Sequence, residues 1–237
     1  MKPDISFVIP CFNDEAWLAE AVQSCLMQTN KNIEVVVVDD GSTDSTQRLL
    51  EYFSSTDKRF RFVNHVSNKG RGAARNTGCD AAHAEVISVL DSDDISDIGR
   101  AKETLKKITD GTYFYGAAQA VNIVLEAQMK IQPAPFDLKK SVESGVNGIV
   151  HSTVSYHKKL WEKFPYDQGE YAALGLDDWK QQLDMARGGV KFDFTPIEIA
   201  AYRMRAGSIS SVRNKEEVKK LKNKYLEEAG LLNATAA

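Results

Sequence analysis

The sequence predicts an α/β fold organised around a parallel, doubly wound sheet. Three observations predict it. Strand-like apolar runs and helix-like amphipathic runs alternate four times over roughly the first 95 residues. One run holds four consecutive valines at 35–38, the pattern of a strand buried on both faces. Two runs end in acids, Asp39-Asp40 and Asp91-Ser92-Asp93-Asp94, and ligands of open α/β sheets collect at the carboxyl ends of strands.

Residues 5–10 form the first apolar run, stopped by Pro10. Asn13-Asp14-Glu15 then offers a cap and acidic first-turn residues for a helix carrying Leu18, Val22, Cys25 and Leu26 on one face. Residues 33–38 make the strongest strand. Gly41 permits a tight turn after it, and Ser42 or Asp44 can cap the helix holding Leu49, Leu50 and Phe53. Residues 60–63 are a third short strand. A loop over 68–72 opens a helix that runs to about Ala82. The fourth strand begins at Val86 and has further β-branched residues at Ile87 and Val89. Beyond it, 99–108 is helical, and 113–125 is a long strand or a pair, with Gly116 as a bulge. Residues 132–137 contain two prolines and read as a loop; 145–155 is mixed. A helix over 177–187 ends at Gly188-Gly189. Residues 191–203 hold one or two strands broken at Pro196. A charged helix over 215–228 has Val218, Leu221 and Tyr225 on one stripe, and the small residues after Gly230 fray.

A chain of 237 residues suits one large α/β domain or two small ones. Its net charge of −3 gives no case for nucleic acid, and no apolar run is long enough to span a bilayer. The N-terminus has no signal-peptide core. Cys11, Cys25 and Cys79 are odd in number and lack metal-type spacing, so they read as reduced thiols of a cytoplasmic protein. His65, His83, His151 and His157 form no His-x-x-x-His pair, which argues against zinc.

Three carboxylates within four residues repel one another unless the loop is solvated or a cation gathers them. Oxygen-only ligands suit Mg²⁺ or Mn²⁺. The plainer reading of Asp91-Ser92-Asp93-Asp94 is a solvated loop with an N-cap for the next helix. Gly70-Arg71-Gly72 begins like a dinucleotide fingerprint, but Arg75 stands where the third glycine belongs. It also lacks the Gly-Lys-Ser/Thr end of a Walker loop.

Four segments occur in order: Val8-Ile9-Pro10-Cys11-Phe12-Asn13, Val38-Asp39-Asp40-Gly41-Ser42-Thr43-Asp44, Asn68-Lys69-Gly70-Arg71-Gly72-Ala73-Ala74-Arg75-Asn76 and Leu90-Asp91-Ser92-Asp93-Asp94. Together they resemble the family 2 glycosyltransferases, densely over about the first 100 residues and loosely beyond. The resemblance implies a single GT-A domain with a mainly parallel central sheet flanked by helices. Residues 1–97 would form its nucleotide-sugar half and 98–212 its acceptor half, with a C-terminal helix and tail over 213–237. The implied reaction is metal-dependent, inverting transfer of a hexose or N-acetylhexosamine from a UDP-sugar to a hydroxyl of a glycan or lipid-linked glycan.

Roles follow residue by residue. Pro10, Phe12 and Asn13 would border the base, with Phe12 keeping the stacking surface of the family's usual tyrosine; the plain alternative is a strand end packed on the core. Asp40 would accept from the base, or serve as a helix cap. Arg75 would face the diphosphate or base, or pair with the Asp39-Asp40 loop. Asp93 and Asp91 would hold Mn²⁺ or Mg²⁺, with Asp91 and Ser92 beside the ribose; Asp94 would cap the following helix. The family's Glu-Asp segment ahead of a tryptophan corresponds to Asp177-Asp178-Trp179. Asp178 is the expected general base, since carboxylates are ionised at neutral pH. Asp177, in place of the commoner glutamate, is assigned to the nucleotide sugar. Tyr202-Arg203-Met204-Arg205-Ala206-Gly207-Ser208-Ile209-Ser210 resembles a segment whose histidine often ligates the metal. Here that position is Arg205, which cannot coordinate a cation and could contact the diphosphate instead. Lys215, Lys219, Lys222 and Lys224 suit a solvated helix, or peripheral contact with a membrane. Asn233-Ala234-Thr235 matches a glycosylation acceptor by chance. Two other functions make different demands on the sequence. A nucleotidyltransferase would need a glycine-rich loop where Cys11-Phe12-Asn13-Asp14 stands, and a non-catalytic nucleotide-sugar-binding partner is supported only by the replaced histidine.

Overall fold

The computed structural model describes residues 2–144, 148–205 and 214–230, without the side chains of 142–144. In chain order the elements are β1 (Ile5–Cys11), α1 (Leu18–Leu26), β2 (Ile33–Asp39), α2 (Thr46–Thr56), β3 (Phe60–Asn64), α3 (Arg71–Ala81), β4 (Val86–Val89), β5 (Ile95–Ser96), α4 (Arg100–Lys107), β6 (Thr112–Val121), β7 (Ala127–Ile131), α5 (Leu138–Ser144), a 3-10 turn (His151–Thr153), β8 (Ser155–His157), α6 (Lys158–Lys163), α7 (Glu170–Ala173), α8 (Asp177–Arg187), β9 (Lys191–Arg203) and α9 (Lys215–Glu228). The strands lie in the order β3-β2-β1-β4-β8-β6-β9-β5, with β7 added on β6. The expected parallel core is present: β3, β2, β1 and β4 pair parallel, as do β6 and β9. Strand β8 then inserts antiparallel between β4 and β6, so the second half of the chain extends the same sheet.

Every residue of β1 and β2 is buried. One sheet face packs Leu18, Val22 and Cys25 of α1 with Leu50 and Phe53 of α2. The other face packs Val8, Ile87 and Val89 against Tyr113, Tyr156 and Tyr166. A third cluster joins Tyr171, Leu176, Trp179 and Leu183 to Val218, Leu221, Tyr225 and Leu226, which seats α9 on α8.

Several local expectations are corrected. The proline at 196 does not divide its strand: β9 is continuous, and a register shift against β6 between Gly116 and Ala117 absorbs Pro196 and Ile197. Residues 113–125 resolve into one long strand and the turn that returns as β7. Asn13, Asp14 and Glu15 do not cap α1, whose N-cap position is Trp17 without a side-chain bond. Asn13 Oδ1 and Glu15 instead accept the amides of Thr43 and Ser45, tying the loops after β1 and β2 together. Asp94 is no helix cap either. It is 1% exposed and accepts from Ser152 Oγ and the Arg203 amide, while Asp97 takes the Gly99 amide ahead of α4. The three cysteines are buried and free.

Candidate functional site

Because β2, β1 and β4 are neighbours and parallel, their carboxyl ends deliver Phe12, Asp40 and Asp91 to one place. A cleft of about 1000 Å³ opens there, lined at one end by Pro10, Phe12, Asn13 and Asp40, and in the middle by Asp91, Ser92, Asp93 and Arg75. The Phe12 ring is 43% exposed, too open to be a core residue and free to meet a planar ligand. Asn13 has φ of 52°, a left-handed turn that re-aims the chain after β1. Asp40 is 2% exposed and already accepts from His65 Nδ1 at 2.6 Å and from the amides of Lys69 and Gly70 at 2.9 and 2.8 Å. It thereby holds the turn into α3, where Gly70 has φ of 90°, favoured by glycine.

Arg75 comes from the first turns of α3 and is 1% exposed. It does not pair with the Asp39-Asp40 loop. Its two terminal nitrogens bond Asp91 at 2.6 Å and Asp177 at 2.5 Å, a bridge between residues 102 apart in sequence. Burial opposes ionisation of Asp91, but the Arg75 guanidinium outweighs it and holds the carboxyl down to about 2. Asp177 goes the other way: burial, with Asp178 beside it, raises it against the pull of Arg75. Asp177 is fully buried and lies behind the cleft lining, beneath Arg75, whereas Asp178 lines the cleft.

A second bridge lies beside the first. Arg205 pairs through Nε with Asp93 and through Nη2 with Asp14 at 3.0 Å, and the other Asp14 oxygen receives Ser92 Oγ at 2.6 Å. Ser92 is therefore a buried prop of this network. Burial raises Asp93, as does Asp91 next to it, and Arg205 opposes both. The residues 206–210 of the same predicted segment, and Asn233-Ala234-Thr235, lie outside the described residues.

Asp91 and Asp93 supply oxygen donors of the kind Mg²⁺ and Mn²⁺ take. Among the described residues no group of three His, Cys, Asp or Glu side chains could hold a metal ion, and each of the two aspartates is engaged by an arginine. The pair fits such a cation in kind, with substrate oxygens and water left to complete the shell.

Asp178, Trp179, His151 and Lys222 also line the cleft. Lys222 Nζ sits 5.3 Å above the Trp179 ring, so one lysine of α9 faces the cleft. Sequence reasoning singled out neither His151 nor Arg71 and gave Lys222 to a surface helix. The proximity of α9 to Asp178 follows from the packing of Leu221 and Tyr225, which the helical stripe does foretell, though not what it packs against. A smaller hollow of about 490 Å³ near Lys163 and Arg187 contains none of the predicted site residues. No described helix is long and apolar enough to cross a membrane.

Comparisons with known proteins agree with the geometry. Residues 6–164 match the family described as glycosyl transferase family 2. The chain is 46% identical over 96 residues to "Glycosyltransferase GlyG" of Streptococcus pneumoniae, covering 40% of this chain and 32% of that one. It is 38% identical over 225 residues to "Succinoglycan biosynthesis protein ExoO" of Rhizobium meliloti, covering 89% and 63%. Among solved structures it is similar to S. aureus TarS in complex with UDP-GlcNAc, with a TM-score of 0.67, 19% identity, and coverage of 92% and 65%. The chain thus spans less than two thirds of the length of each of these relatives. The likeness to TarS shows the fold, a GT-A architecture.

Proposed function

The chain belongs to glycosyl transferase family 2, and from that premise we propose that it moves a hexose or N-acetylhexosamine from a UDP-sugar to a hydroxyl of a glycan or lipid-linked glycan, with inversion. The observation that carries this reading is the meeting of Phe12, Asp91, Asp93 and Asp178 in one cleft of about 1000 Å³. In the proposed arrangement Phe12 stacks on the base beside Pro10 and Asn13, and Asp40 holds the rim around it. Asp91 faces the ribose. Residues 1–97 bind the nucleotide, 98–212 shape the acceptor side, and the helix and tail of 213–237 close the chain. UDP and a glycan product also accord with the names of the similar proteins, a UDP-GlcNAc complex and a succinoglycan biosynthesis protein.

One displacement accounts for the chemistry. The bond from the anomeric carbon to the diphosphate oxygen breaks as a bond to the acceptor oxygen forms on the opposite face. The acceptor proton passes to Asp178, and UDP leaves with the bonding pair. A divalent cation held by Asp93 and Asp91 would neutralise charge developing on the diphosphate. Arg205 and Arg71, which both line the cleft, add guanidinium groups suited to phosphate oxygens. Peripheral contact of α9 lysines with a membrane would bring a lipid-linked acceptor close.

The test is UDP release from a panel of UDP-sugars with glycan acceptors and Mn²⁺. Asp178→Asn should lower kcat by about 100-fold or more while leaving UDP affinity unchanged. An undiminished rate removes Asp178 from the base role. UDP binding without turnover on any donor would favour the binding-partner reading.

A further inference from the structure

His151 is a side chain for which neither the fold nor the proposed displacement gives a reason. It lines the cleft, yet it is only 6% exposed. Its backbone is held firmly. Arg100 bonds the carbonyl oxygens of Ser152 and Val154 on the same segment, and the Asp91 amide donates to Ser152 Oγ at 3.1 Å. Its ring is held as well. Nε2 lies 3.0 Å from Tyr166 Oη, the two rings meet edge-on at 5.6 Å, and Tyr166 Oη in turn lies 2.8 Å from Tyr156 Oη. The other ring nitrogen, Nδ1, is buried and has no hydrogen-bond partner among the described residues. A buried polar atom left unpaired is costly, and a bound ligand is one way to satisfy it.

The surroundings say what kind of ligand. Groups of both charges act on the ring: Arg75 and Arg71 push its titration down, and Asp91 and Asp178 push it up. Burial, reinforced by Arg75, pushes the imidazole down to about 4, so it is neutral at physiological pH. A neutral ring brings no positive charge to a diphosphate. A hydroxyl fits it instead, because a hydroxyl both donates and accepts and so suits whichever tautomer Tyr166 selects. Asp91 marks the diphosphate side of the cleft and Asp178 the acceptor side. The group carried between them in the proposed reaction is the sugar.

We infer that His151 is a donor-recognition residue whose Nδ1 hydrogen-bonds a hydroxyl of the transferred hexose. This rests on the reading of the cleft as a UDP-sugar site. Its test compares UDP with UDP-glucose, UDP-galactose and UDP-N-acetylglucosamine by calorimetry. The unaltered protein should bind at least one UDP-sugar more tightly than UDP. In His151→Phe that advantage should fall about tenfold, with UDP affinity unchanged and the donor KM raised in step. His151→Asn, which keeps an amide near the Nδ1 position, should recover part of it. Should His151→Phe not fold, the Nδ1 resonance of ¹⁵N-histidine-labelled unaltered protein serves: it should move with the UDP-sugar and stay in place with UDP. Equal UDP-sugar affinities in all three proteins, or an unmoved resonance, overturn the histidine's role alone. A protein that binds no UDP at all overturns the reading of the cleft, and this inference with it.

Discussion

Arg75 shows how much of this site depends on single residues being used twice. It faces the cleft, and its guanidinium also pairs with Asp91 and Asp177 at once. The Asp91 carboxyl titrates at about 2 in the folded chain, below its unfolded value near 4. A depressed carboxylate stabilises the fold above its unfolded value, and that contribution disappears as pH falls through the folded value. The ion pair should therefore add about 2.5 kcal/mol at neutral pH, lost between about pH 4 and pH 2. Urea midpoints check this: the gap between wild type and Asp91→Asn should be present at pH 6 and close toward pH 2. A gap constant across that range would mean the carboxylate gains nothing from Arg75. At this scale the acidic strand ends alone drew notice to Asp40, Asp91 and Asp93. The roles of these three, and of Phe12 and Asp178, came from the family resemblance, and the fold brings all five to one cleft. The sequence was silent on the partners of Arg205 and on the burial of Asp177. Those depend on contacts across about a hundred residues that leave no periodic mark.

At the scale of elements, α3 is the connector. Its Asn76 accepts from the Tyr166 amide and Trp161 Nε1 and donates to the Tyr166 carbonyl. Gly72, one turn earlier, lies so close to the 165–169 segment that an added Cβ would fall 1.8 Å from the Asp167 carbonyl oxygen. Backbone cannot give way as a flexible side chain would. Gly72→Ala should therefore destabilise the protein by about 3 kcal/mol, the upper end of overpacking costs, readable as a fall in the urea midpoint. An unchanged midpoint would mean that the 165–169 segment moves freely. The strands and helices up to β4, and α4 after them, were legible from their apolar patterning, whereas β5, only two residues long, was not. Short helices such as α6 and α7 carry too few turns to show a period. The register shift at Pro196 is visible only once β6 lies alongside β9.

For the whole molecule, the question is what the last helix does. Val218, Leu221, Tyr225 and Leu226 of α9 bury themselves against Trp179 and Leu183 of α8. Removing residues 214–237 deletes those four side chains, each worth roughly 1.5–3 kcal/mol of burial, and uncovers Trp179. A lower melting temperature and red-shifted tryptophan emission are the expected results, and an unaltered melting curve would show α9 to be a passive appendage. The sequence announced the amphipathic stripe of α9 but not its partner, since a helix pattern names the buried face without naming what buries it. One further consequence concerns exchange of parts between related chains. The second half of the chain invites swapping, with residue 97 as an obvious cut. Yet Arg75 with Asp177, Asn76 with Tyr166 and Gly72 with Asp167 all cross that cut. A chimera joined there inherits half of each pair from a different parent. To keep its parts matched, a graft must carry the recipient's own residues 161–178 along with its first half, so the unit of recombination is not a contiguous stretch of chain.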